Sequence, residues 1–304
     1  MKTPTIDEAR LFGNIWAVIV AYHPDSRKLS ALCETLQTDG LNVLVVDNTE
    51  TPKLSVGDLA AGTRLNSLGE NTGIAHAQNV GIEAALKGGA RAILFLDQDS
   101  SIGGGFISSL LGVLKPGVPD IVSPRCIDAE TLADLPSESL TRHGFVHPLR
   151  CGDSRKPCPT DIVISSGTLA TREAIMLAGV LDEDLFIDFV DTEWCLRCRS
   201  KQIPIRVVPN AVLFHRIGNQ SIKEGALTVM LHGPTRCYYQ VRNSIHLFRF
   251  RHVPLMFSIR TMLAVLLNRL LLLRHVTNRG EYIEAYMHGL RDGLAGVVGM
   301  RPHR

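Results

Sequence analysis

The run Ala92-Ile93-Leu94-Phe95-Leu96 ends abruptly in Asp97-Gln98-Asp99-Ser100, two carboxylates one residue apart behind an uninterrupted apolar segment. A short apolar run of this kind predicts a strand buried on both faces, as in the interior of a parallel sheet. Acids at its carboxyl end stand where ligands bind in open α/β sheets. Two negative charges this close repel unless something positive sits between them, and a hard divalent cation is the usual solution. An Asp-rich turn after a strand is the competing explanation of this segment taken alone.

The flanking sequence has the same character. Ile15–Ala21 predicts a buried strand, followed by a helix from about Ser26 to Thr38. Leu41–Val46 predicts a second strand, ending in Asp47-Asn48, and a helix from about Gly73 to Lys87 stops at Gly88-Gly89. Strand, helix, strand, helix, strand at these spacings implies an α/β layout with a parallel sheet and right-handed crossovers. Residues 121–160 read as a strand plus a long surface excursion, and Ile162–Leu169 as a strand broken at Ser165-Ser166-Gly167. Arg172–Ala178 and Asp191–Lys201 read as helices and Ile205–Val208 as a further strand.

In a parallel sheet the carboxyl ends share one edge. Ala21-Tyr22-His23-Pro24, Asp47-Asn48 and Asp97-Gln98-Asp99 are therefore expected to line a single crevice. Neither a G-x-G-x-x-G turn nor a Walker A sequence follows the first strand, so a phosphate-bearing ligand would be held by metal and side chains. Asp47 is placed to accept a hydrogen bond from a base N–H. Asn71, Gly73, Ala75 and Asn79 are expected around the entrance of the second helix, where free N–H groups and the dipole favour an anion or a carbonyl. Asp188, Asp191 and Glu193 lie beside Phe189 and Trp194 at a helix start, where a carboxylate can serve as a general base. N-capping is the other explanation of Asp191. His215, after a strand, is placed to close an oxygen-rich metal site.

The net charge of +2 is too small for a nucleic-acid-binding chain. Its distribution is uneven: Arg236, Arg242, Arg249, Arg251, Arg260, Arg269 and Arg274 precede the next acid, Glu281, which fits anionic lipid or phosphate. Residues 253–276 are mostly aliphatic but interrupted by Arg260, Asn268 and Arg269, so a spanning helix is disfavoured. An interfacial helix and burial against the catalytic part or a partner subunit are the two readings, the first implying contact with the inner leaflet. The start Met1–Arg10 is polar and lacks a signal-peptide pattern, and seven scattered cysteines read as reduced thiols; both point to the cytoplasm. Cys195-x-x-Cys198 has no second pair, and His143, His147, Cys151 and Cys158 match no standard zinc module.

The chain carries, in order, Val-Ala-Tyr-His-Pro, Val-Val-Asp-Asn, Asn-Thr-Gly-Ile-Ala-x-Ala-x-Asn, Leu-Asp-Gln-Asp-Ser, Ser-Ser-Gly and Phe-Ile-Asp-Phe-Val-Asp-Thr-Glu-Trp-Cys-Leu-Arg, within a match that covers about residues 14–295. It resembles family 2 glycosyltransferases of the GT-A fold, and within them the bacterial rhamnosyltransferases of surface polysaccharide synthesis. The resemblance implies a mostly parallel central sheet flanked by helices, a catalytic domain over residues 1–235 and a C-terminal helical region over 236–304. It implies Mg²⁺ or Mn²⁺ on Asp97 and Asp99, with Asp99 the direct ligand and His215 a late metal or phosphate contact. It places Asp47 against the nucleotide base and Tyr22-His23 along that pocket. Ala21, Asn48, Asn71, Gly73, Ala75, Asn79 and Gln98 complete the donor site. Asp191 matches the catalytic base, although Val190 stands where many relatives carry Glu, which leaves Asp188 and Glu193 as competitors. Tyr239-x-x-Arg242-Asn243 is similar to a Y-x-x-R-N element.

The implied reaction is an inverting transfer from dTDP-L-rhamnose to a glycan or lipid-linked acceptor held by Ser165-Ser166-Gly167, Asp188, Trp194 and the 141–160 excursion. A homo-oligomer peripheral to the cytoplasmic face of the inner membrane is the expected setting. A UDP-hexose or UDP-galactofuranose donor, or a non-catalytic nucleotide-sugar-binding subunit, are the alternatives.

Overall fold

The computed structural model describes residues 13–302 apart from 130–131, 136, 152–153, 155, 216–220 and 225–226. Its centre is β1 (Ile15–Ala21), every residue of which is buried. β1 pairs in parallel with β2 (Asn42–Asp47) on one side and β4 (Ala92–Asp97) on the other, and β3 (Arg64–Ser67) adds in parallel to β2. Because side chains alternate along a strand, Trp16, Val18 and Val20 enter one core while Ile15, Ala17, Ile19 and Ala21 enter another. The first core is closed by α2 (Ile74–Lys87), the second by α1 (Ser26–Thr38). Two cores on two faces explain why these strands read as continuous apolar runs.

β6 (Ile121–Asp128) and the long β12 (Ile205–His215) form a second parallel pair, joined to the first block by β11 (Leu169–Thr171). The sequence predicted a strand over Ile162–Leu169. Instead, residues 162–168 are a loop at the site edge, and the strand forms over 169–171, antiparallel to both β4 and β6. Its direction follows from its entry: the chain turns at Gly167, whose φ is +80°, and descends from the edge where β4 ends. The short β5 (Ser101–Ile102) and β10 (Cys158–Thr160) pair antiparallel with β12, and β7 (Asp134–Leu135) with β6. β8 (Ser137–Leu140) and β9 (Val146–Leu149) form a separate hairpin in the 121–160 excursion, as β13 (Ser221–Glu224) and β14 (Leu227–Met230) do after β12.

The predicted helices are present with small boundary shifts: α4 (Arg172–Ala178) and α5 (Val190–Ser200), with α3 (Phe106–Leu111) in addition. Three helices end the chain, α6 (Pro234–His246), α7 (Leu255–Leu272) and α8 (Arg279–Ala295). α6 starts ahead of the 235/236 boundary expected from sequence. Gly289 and Gly293 let α8 lie close on α6, where a Cβ would come within 2.7 Å of the Tyr238 carbonyl and 2.8 Å of Ile245. All seven cysteines are free.

α2 presses most closely on β1 at Gly81, where an added Cβ would lie 2.2 Å from a Val18 methyl. Val18 is fully enclosed and stiff at χ1, so it has no room to yield. Gly81→Ala is therefore expected to lower the unfolding free energy by about 1–3 kcal/mol, although helix propensity favours Ala by about 1 kcal/mol. Urea denaturation measures the difference.

Candidate active site

β1 places Ala21 level with Asp47 and Val20 level with Asp97, so the three strand ends are lateral neighbours. Two cavities open along this shared edge. One, of about 500 Å³, is lined by His23, Ser26, Asp47, Thr49, Lys53 and Asp58. The other, of about 950 Å³, takes in Asp97, Asp99, Glu138, Ser165, Asp188, Asp191, Arg236 and Gln240.

In the smaller cavity Asp47 is fully buried. Its Oδ1 accepts from the Thr49 N–H at 3.1 Å and the Thr49 hydroxyl at 2.6 Å, an Asx turn closing on itself. Its Oδ2 is buried with no hydrogen-bond partner among the described residues. A buried acceptor without a donor costs free energy comparable to a lost hydrogen bond, and a ligand N–H would satisfy it. His23 closes the rim from a left-handed conformation, its N–H donating to Thr49 Oγ1 at 3.0 Å. Tyr22 is half exposed, its hydroxyl donating to Glu50 at 3.0 Å.

Several residues expected to touch the donor are instead committed to the scaffold. The Gln98 side chain clasps the Tyr22 backbone in both directions, accepting at 2.6 Å and donating at 3.0 Å, and so ties the β1 and β4 loops together. Asn48 Oδ1 accepts from the Thr72 N–H at 2.9 Å, and Asn71 Oδ1 from the Gly73 N–H at 3.1 Å. The next amide, Ile74, donates to the Phe186 carbonyl at 2.8 Å. The Thr72, Gly73 and Ile74 N–H groups at the entrance of α2 are thus taken by protein oxygens. Gly73 is required there, since a Cβ would meet the Phe186 carbonyl at 2.6 Å. Ala75 is core. Asn79 brackets Leu181 with two hydrogen bonds of 3.0 and 2.9 Å and faces away from both cavities. Ala21 is buried, its carbonyl accepting from Asn48 at 2.8 Å.

The acceptor expectations shift likewise. Ser166 is buried, its hydroxyl 2.8 Å from that of Ser100 and accepting from the Asp97 N–H at 3.3 Å, so it shapes the Asp97–Asp99 turn. Gly167 packs on Pro124. Trp194 is a core side chain, edge-on to Phe95, with its indole N–H on the Gly179 carbonyl at 2.8 Å. Of the Ser165-Ser166-Gly167 stretch, Ser165 lines the cleft, together with β8. Thr49 carried no sequence signal beyond an Asx-turn spacing, and Arg236, read from sequence only as part of a basic cluster, lines the cleft.

The structure separates the three candidate bases. Glu193 is buried away from the cleft; burial alone would raise its pKa, but His252 at 2.8 Å and Arg197 reverse this and hold it below the usual carboxylate range. Asp188 is held by Arg236 at 3.1–3.2 Å and by Gln240 at 3.3 Å. Asp191 lines the cleft, with Oδ2 accepting from the Ser165 N–H at 3.1 Å. Burial and the nearby Asp188 carboxylate push its pKa up against the pull of backbone N–H groups and Arg236, leaving it raised. A carboxylate with raised proton affinity at a cleft wall is suited to accept a proton.

The segment before Asp191 is strained. Phe186, Asp188 and Phe189 all have φ between +62° and +65°. Phe186, at φ 63° and ψ −63°, centres a tight turn in which the Ile187 N–H donates to the Leu185 carbonyl at 2.7 Å. Each such residue costs about 1–3 kcal/mol. α6 holds the loop in place. The Asn243 amide nitrogen donates to the carbonyls of Leu185, Ile187 and Asp188 at 2.8, 2.7 and 3.1 Å, and Arg242 to those of Asp184 and Leu185 at 3.0 Å. Phe186 stacks on Tyr239 with ring centroids 4.8 Å apart. The Tyr239-x-x-Arg242-Asn243 element is thus a clamp on this loop.

Asp97 and Asp99 offer carboxylate oxygens to one cavity, the donor type that hard cations take. Among the described residues no third His, Cys, Asp or Glu joins them, and none gathers at His143, His147, Cys151 and Cys158. A cation there would complete its shell from ligand oxygens and water, which fits Mg²⁺ or Mn²⁺ and not a structural zinc. His215 ends β12 in register with Asp128; its side chain lies outside the described residues. Asn243→Ala is expected to destabilise the protein by about 1–3 kcal/mol, and Asn243→Asp by no less, because a carboxylate would face three carbonyls. Thermal and urea unfolding check both.

No family model matches the chain. The chain is 37% identical over 289 residues to dTDP-rhamnosyl transferase RfbF of Shigella flexneri, covering 94% of this chain and 97% of that protein. The fold is similar to that of GalNAc-T7, crystallised with UDP, GalNAc and Mn²⁺, at a TM-score of 0.54 and 10% identity. That match covers 93% of this chain, which spans 58% of the GalNAc-T7 chain, and it shows a shared fold alone. With a GT-A framework, strand ends lined by acids and this extent of identity to RfbF, the chain belongs to the rhamnosyltransferase family of glycosyltransferases.

Proposed function

We propose that the protein transfers L-rhamnose from dTDP-L-rhamnose to a hydroxyl of a glycan or lipid-linked acceptor in surface polysaccharide synthesis, with inversion at the anomeric carbon. The observation that carries this reading is that one cleft holds Asp97 and Asp99 on one wall and Asp191 on another. A transfer of this kind needs those two elements and no covalent intermediate.

The orphaned Oδ2 of Asp47 suits the N–H of a thymine ring, with His23 and Thr49 beside it. Uracil offers the same N–H, so the thymidine assignment leans on the identity to RfbF. Asp97 and Asp99 would hold Mg²⁺ or Mn²⁺, which when bound offsets the charge that develops on the departing diphosphate. Asp191 accepts the proton of the acceptor hydroxyl as that oxygen attacks the anomeric carbon from the face opposite the nucleotide. The Ser165 N–H holds Asp191 in orientation, and the Arg236–Asp188 pair keeps the neighbouring carboxylate engaged. We assign residues 1–235 to the transfer chemistry and place the protein in the cytoplasm, at the inner membrane.

Asp191→Asn should retain dTDP binding while transfer falls by a factor on the order of 10²–10⁴. Unchanged turnover in that variant would sink the base assignment. Because the base must be ionised, transfer should be lost as pH falls through the raised pKa of Asp191, above the ordinary carboxylate range. A kcat–pH profile reads this directly. Asp99→Ala should abolish the extra thermal stabilisation that Mn²⁺ adds to dTDP-bound protein, while stabilisation by dTDP alone persists.

A further inference from the structure

α7 leaves most of its length outside the core. It is 18 residues long with a mean hydropathy of 1.6, and 22% of it is buried. The inward positions are Phe257, Ser258, Arg269 and Leu272, which at 100° per residue span an arc of about 120°. The opposite side carries Leu255, Met256, Leu263, Leu267 and Leu270, each between 41% and 66% exposed. An apolar patch of this continuity marks a surface with a partner.

Arg260 and Arg269 interrupt the run in sequence, but the structure separates them. Arg269 turns inward, its guanidinium 2.9 Å from Cys237 Sγ on α6, while Arg260 is exposed on the outer side. Arg251 precedes the helix, and Arg274, His275 and Arg279 follow it, all exposed. No Asp or Glu occurs in the sequence from residue 225 to 280. An aliphatic helix face with cations at both ends and no acids has the composition of a helix lying in the headgroup region of an anionic bilayer. A second copy covering this face would set one cationic rim against another.

The position of α7 adds to this. The β8–β9 turn packs on its start, leaving no space for a Cβ at Gly144 beside Pro254. Arg260 acts electrostatically on Glu138, which lines the large cleft. Near its other end, Arg269 contacts Cys237, the neighbour in sequence of the cleft residue Arg236. α7 therefore runs beside the cleft from β8 to the start of α6.

We infer that the outer face of α7 docks the protein on an anionic lipid surface and holds the mouth of the cleft against it. The docking stands on this geometry; that the cleft then receives a lipid-linked acceptor rests on the function proposed above.

The test is co-sedimentation of the full chain with vesicles of phosphatidylglycerol and phosphatidylethanolamine, against vesicles of phosphatidylcholine. Strong binding to the anionic vesicles, weakened by salt, is expected. The triple variant Leu263→Gln, Leu267→Gln, Leu270→Gln, with folding verified by circular dichroism, should bind at least about tenfold more weakly. Equal vesicle binding by the variant, equal binding to both compositions, or no binding by the parent chain would overturn the proposal. So would a parent dimer in analytical ultracentrifugation that the triple variant converts to a monomer, since a second copy would then cover the face. Vesicle binding is read without donor or acceptor, so its failure is distinct from a failure of transfer.

Discussion

The contact on which the site depends is the one between the amide of Asn243 and three carbonyls of the 185–188 loop. That loop holds three non-glycine residues in left-handed conformations, which no local preference would maintain. The clamp fixes it from α6, and the loop in turn supplies the Phe186 carbonyl that caps α2 and sets the approach of Asp191 at the start of α5. Three elements distant in sequence are thereby fixed by one amide and the neighbouring guanidinium of Arg242. Strain stored next to a reacting carboxylate is a common way of holding it in a defined position.

The acids of the site differ in environment more than in kind. Glu193 is paired with Arg197 and His252 on the far side of α5, and Asp188 is engaged by Arg236. Asp191 has a backbone N–H and burial, and no direct ion pair among the described residues. Asp47 keeps one buried oxygen unsatisfied. Environments that push like groups apart are what allow one carboxylate to bind, another to orient and a third to accept a proton.

Much of the frame was legible. The apolar runs at Ile15–Ala21 and Ala92–Leu96 named the central strands because burial on both faces leaves no alternation to misread. The glycine stop and small-residue face of 73–87 named α2 for a similar reason. The strand expected over 162–169 failed because Ser165-Ser166-Gly167 looks like an interruption of a strand, whereas it is the turn that precedes one. Asn71, Asn79, Gln98 and Trp194 looked like ligand contacts because polar and aromatic residues near strand ends commonly are. Asn71 closes a local turn onto the Gly73 N–H, while the partners of Asn79, Gln98 and Trp194 are backbone groups brought close only by folding.

Sequence by itself determined the layering, the order of the strand ends and the acids standing on them, since periodicity and strand direction follow from local chemistry. It also identified Asp191 as a candidate, without excluding Asp188 or Glu193. Only the tertiary structure sets their environments apart, because Arg236 reaches Asp188 from α6 and His252 reaches Glu193 from beyond that helix, whereas Arg197 lies one turn from Glu193 on α5 itself. The same holds for the C-terminal helix. Two arginines interrupting an apolar run admit either burial or a wet face, and it took the packing of Arg269 against Cys237 to leave Arg260 as the one arginine on the otherwise apolar outer side of α7.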